Sequence, residues 1–83
     1  MAEMSYAVKV DGDYVVGLYD QRVATSKNAH FDDAINIHLP SRVSSFAHII
    51  KAHAKEGAAI TIASRDVDTT VVTLEAWDEA HQD

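Results

Sequence analysis

The chain has 83 residues, enough for one hydrophobic core and one domain over 1–83, since a second core would need roughly another 50. Its composition is 47% apolar and 24% charged, as in ordered globular chains, and the absence of cysteine excludes a disulfide scaffold, thiolate catalysis and Cys-based zinc sites together. Thirteen acids against seven bases set a net charge of -6, which argues against direct nucleic-acid binding, because phosphate contacts need a basic face.

Ser5 to Val10 alternates, with Tyr6, Val8 and Val10 on one side and Ser5, Ala7 and Lys9 on the other, which is the period of a half-buried strand. Asp11-Gly12-Asp13 supplies turn chemistry, and the β-branched and aromatic run Tyr14 to Tyr19 completes a predicted hairpin. Two registers compete. Asp-Gly favours a two-residue turn, whereas a three-residue loop sets Tyr14, Val16 and Leu18 opposite Val10, Val8 and Tyr6. The apolar pattern favours the second, because a slip of one residue turns a whole apolar set toward water. Gly17 inside the second strand marks a bulge or a close backbone approach.

Asp20 to Asp33 has no sustained period and contains Thr25-Ser26-Lys27-Asn28, so it reads as a long exposed loop. Ile35 to Leu39 alternates until Pro40 stops it, which predicts a short third strand. Ser41 to Glu56 is the clearest helix: Ser41 is the expected N-cap, Gly57 the terminator, and Lys51 and Lys55 lie near the negative end of the dipole. At 100° per residue Val43, Phe46, Ala47, Ile50 and Ala54 fall in one sector, which must face a sheet or a partner. Ile60 and Ile62 then alternate, and a polar linker leads into a second alternating run, Thr69 to Trp77. The predicted class is α+β: a small, mostly antiparallel sheet of four to five strands with one helix on one face, in the order β-β-β-α-β-β. Asp78 to Asp83 is expected to fray.

No motif for catalysis, metal or cofactor stands out. His48 and His53 are five apart on the helix, where a shared metal face needs three or four, and nothing ties His30, His38 and His81 together. Asp11/Asp13, Asp32/Asp33 and Asp66/Asp68 complete no calcium loop and lie where Asp is ordinary turn chemistry. Ser44 and His48 are helix neighbours with no orienting acid or oxyanion glycines in sight, and the three glycines match no phosphate loop. A small-ligand site would draw on Tyr6, Tyr14, His38 or His53 around a cleft. The expectation is therefore a non-enzyme without cofactor or metal. No apolar run suits a membrane span of about 20 residues or a signal-peptide core of about 7 to 15, which points to a cytoplasmic protein with no membrane partner.

The segment Asp66 to Asp83 holds six acids, no Lys or Arg, and the only Trp. If Thr69 to Trp77 is one strand, then Val71, Thr73, Glu75 and Trp77 share its outer face, with Asp66 and Asp68 before it and Asp78 and Glu79 after it. A Trp ringed by carboxylates suits a basic surface on a larger protein. In its acidity, small size and lack of motifs the chain is similar in character to phage-encoded inhibitors of host defence, the anti-CRISPR and anti-restriction proteins. That resemblance is one of composition, and it implies a target surface that otherwise holds nucleic acid. The alternative is a homo-oligomeric structural or accessory subunit, such as a homodimer paired edge to edge.

Overall fold

The structure is a computed structural model that describes residues 4–20, 22–66 and 68–81. Five antiparallel strands form one sheet: β1 (Ser5–Val10), β2 (Asp13–Tyr19), β3 (Arg22–Ser26), β4 (Ile60–Arg65) and β5 (Thr69–Thr73), in the spatial order β3-β2-β1-β4-β5. Helix α1 (Pro40–His53) and a short helix α2 (Leu74–Ala80) pack on one face, and a 3-10 turn, Phe31–Asp33, sits against the other. The α+β class and a five-stranded sheet with a crossing helix agree with the sequence reading, and α2 is an addition to it. No helix among the described residues is long and apolar enough to cross a membrane.

The β1–β2 hairpin takes the tight register rather than the favoured looser one. Lys9 faces Tyr14 and Val10 faces Asp13, so the loop is Asp11-Gly12 alone. Both residues have positive φ, 51° and 87°, as a primed turn requires, and that turn matches the strands' own twist. Asp11 is also fastened to Ala59: its N–H donates to the Ala59 carbonyl at 2.8 Å and its carboxylate accepts the Ala59 N–H at 2.9 Å. The register therefore sends Val15 into the core and Tyr14 to the opposite face. A bulge between Val15 and Gly17 shifts the phase, and Leu18 is again packed on the core. Gly17 lies under the Tyr19 ring, where a Cβ would collide with it.

The segment expected to be a loop after Asp20 contains β3 and the 3-10 turn. Conversely, the expected third strand at Ile35 to Leu39 shrinks to a single bridge. Ile37 exchanges two 2.8 Å backbone bonds with Tyr6, and the Ile35 N–H donates to the Val15 carbonyl at 3.1 Å. This segment is a wedge between β1 and β2, which pair only near their shared turn.

Helix α1 starts one residue earlier than predicted. Pro40 takes the first helical position, where its missing N–H costs nothing, so Leu39 and not Ser41 is the N-cap. It ends at His53, and Gly57, with φ 84°, serves the turn beyond. Val43, Ala47 and Ile50 are buried, with Phe46 and Ala54 packed beside them, which is the predicted sector. They meet Tyr6, Val8, Ile60 and Ile62, whose alternation supplies the sheet's side of the core.

The predicted strand Thr69 to Trp77 stops at Thr73, and the chain turns into α2. Thr73 Oγ1 accepts the Ala76 N–H at 3.1 Å, an N-cap that lets the chain leave the sheet, and Leu-Glu-Ala are strong helix formers. Leu74 and Trp77, three apart on one helix face, are buried. Residues 78–80, expected to fray, complete the helix, while 82 and 83 fall outside the described residues. Replacing the cap, Thr73→Ala, is expected to cost about 1 kcal/mol and lower Tm by roughly 4–8 °C, with Thr73→Ser retaining most of it. An unchanged thermal melt for Thr73→Ala would remove the cap from the account.

Candidate protein-binding edge

The helical turn at Thr73 redistributes the acid-rich segment. Trp77 is 4% exposed and lies in the core, its ring edge-on to Tyr6 with centroids 5.2 Å apart, and its indole N–H donates to Ser44 Oγ at 2.9 Å. It is therefore not the exposed anchor that a continuous strand would have made of it. Asp78 turns toward α1 and meets His48 Nε2 at 2.9 Å, and His81 stacks on Trp77 at 3.8 Å while its Nδ1 bonds the Trp77 carbonyl at 2.9 Å. These contacts belong to the α1–α2 clasp.

What faces outward is β5 itself. Among the described residues it bonds to β4 alone, with Val71 opposite Ala63 and Thr73 opposite Thr61, and no other strand lies on its far side. Thr69, Thr70, Val71 and Thr73 are exposed and Val72 half-buried; Val71 keeps 47% of its surface in water, high for a valine in a strand. Asp66 and Asp68 sit in the turn before β5, where the Asp68 N–H donates to the Asp66 carboxylate at 3.2 Å. Glu75 and Glu79 follow it, four apart on an exposed side of α2. Asp68, Glu75 and Glu79 make no ion pair among the described residues, although Lys51 shares a cleft with Thr73 and Glu75. Of the eight residues expected to bind a partner, Asp66, Asp68, Val71, Thr73, Glu75 and Glu79 thus lie along or beside one edge, whereas Trp77 and Asp78 face the core and the clasp.

The opposite edge, β3, differs in kind. It begins with exposed Arg22, is followed by Lys27, and pairs with a bulged strand, all features that discourage further strand addition. Within β5 there is no charged residue, proline or bulge: Thr-Thr-Val-Val-Thr is rich in β-branched residues, and its charges, Asp68 and Glu75, stand outside the strand.

Other arrangements that the sequence raised do not assemble. Tyr6 lies on the helix face and Tyr14 on the other, where its ring meets Phe31 edge-on at 5.9 Å, so the two cannot line one cleft with His38 and His53. Asp78 does supply His48 with an acid that spacing could not reveal, yet no hydrogen bond joins Ser44 to His48, and Ser44 already accepts from Trp77. Among the described residues no group of three or more His, Asp or Glu is placed to hold a metal ion. Comparison with protein-family models, curated proteins and solved structures finds no match for the chain.

Proposed function

We propose that the chain is a small, non-catalytic protein-binding module that captures a basic partner by adding a strand to β5. The observation that carries this reading is an uncharged, unpaired edge strand with carboxylates at both of its ends. Main-chain bonds along such an edge give affinity, and the flanking charges choose the partner and speed its approach. Five residues span roughly 17 Å, so a matching segment has a short β-branched centre with Lys or Arg on either side at about that separation. A protein whose basic surface otherwise holds nucleic-acid phosphate fits this description, in keeping with an inhibitor of a host-defence enzyme.

The homodimer fares worse on the same geometry. Antiparallel pairing of two β5 strands would bring Asp66 and Asp68 of one copy beside Glu75 of the other, and each copy carries a net charge of -6. Like charges set opposite one another oppose pairing. Selection of short peptides from a random library on the immobilised protein is expected to enrich segments with a β-branched centre and basic flanks, with capture falling steeply as salt rises. Enrichment of acidic or charge-free segments, or capture indifferent to salt, would overturn the reading.

A further inference from the structure

A second feature lies where the chain passes from the Ile37 bridge into α1. Ile37, Leu39 and Phe46, with Asn36, His38 and Arg42 at the rim, line an open groove of about 440 Å³, within the usual range for small-molecule sites. Leu39 leaves 55% of its surface in water although it is the helix N-cap, where a polar residue would ordinarily stand. The walls are fixed in advance. Ile37 is held by its pair of bonds to Tyr6, Pro40 sets the helix entry, and the Asn36 amide donates to the Phe31 and Ala34 carbonyls at 3.1 and 2.8 Å.

The charge at this groove runs against that of the whole chain. Among the described residues no acid lines it and Arg42 has no carboxylate partner, in a protein with net charge -6. His38 Nδ1 faces Ser5 Oγ at 3.4 Å, which leaves Nε2 uncommitted. A guanidinium beside an apolar surface is suited to a carboxylate, which it can hold through two parallel hydrogen bonds. We propose that the groove binds a small aliphatic carboxylate, its hydrocarbon on Ile37, Leu39 and Phe46 and its head group on Arg42. The site shares no residue with the β5 edge and stands independently of it.

The test is an NMR titration of the full chain with decanoate below its micelle-forming concentration. Saturable shifts are expected at Ile37, Leu39, Arg42 and Phe46. Octanoate should bind roughly tenfold more weakly for its two missing methylenes, at about three- to fourfold each. Arg42→Gln, at an exposed position that should leave the fold intact, should weaken decanoate at least tenfold, and decyltrimethylammonium should bind at least tenfold more weakly than decanoate. Shifts absent from these residues, equal binding by Arg42→Gln, or equal binding of the ammonium amphiphile would each overturn the proposal.

Discussion

Trp77→Ala is expected to strip the protein of a large share of its stability at 25 °C. Truncating a buried Trp costs about 3–5 kcal/mol, whereas a domain of 83 residues has only roughly 4–12 kcal/mol to lose. Trp77 joins three elements: it packs against Tyr6 of β1, bonds Ser44 of α1, and with Leu74 holds α2 to the sheet. A helix of seven residues has no stability of its own, so α2 should go with the indole. Trp77→Phe keeps most of the apolar volume and gives up the Ser44 bond, and should cost about 1–2 kcal/mol. Denaturant titration followed by far-UV circular dichroism reads both variants. A Trp77→Ala protein within 1 kcal/mol of the parent would mean that the indole lies outside the core.

Phe31→Ala should be the second severe change, at about 3 kcal/mol. The ring is 6% exposed and covers Ala7 and Ala63, which leave no surface in water, on the face of the sheet opposite α1 and α2. It also meets Tyr14 edge-on, with Arg65 5.4 Å from its centroid. The value lies at the low end for Phe→Ala because water can enter from that side. Its neighbour is the control. Asp32 pairs with Arg65 at 2.9 Å but is 80% exposed at the side chain, so Asp32→Ala should change stability by less than about 1 kcal/mol. Equal losses for the two variants would show that the 3-10 turn is held by its charges rather than by its phenyl plug.

Both residues lie where sequence reasoning went astray, and for the same physical reason. Periodicity exposes elements with one wet and one dry face, so Tyr6, Val8, Ile60 and Ile62 in the sheet and Val43, Ala47 and Ile50 in α1 were all legible. It is silent on Arg22 to Ser26, an edge strand with no buried residue, and on Phe31, a single plug without a repeat. From Thr70 to Ala76 a period of two also fitted, and it concealed Thr73 as a cap followed by helix formers with apolar residues three apart. The acids could be read as a set from composition alone. Which of them face outward depended on that cap, because a strand puts Trp77 beside Glu75 and a helix turns it inward.

The central claim, that β5 receives a partner strand between its flanking carboxylates, is tested most directly by amide hydrogen exchange over Thr69–Thr73. The measurement compares the free protein with the protein saturated by the tightest basic strand peptide from the selection. Alternate residues of an edge strand point their N–H groups away from β4. Those amides should exchange freely alone and gain at least tenfold protection in the complex, with β3 unchanged. If the peptide binds and leaves β5 exchange as it was, or protects β3 or α1 instead, then the partner does not dock on this edge.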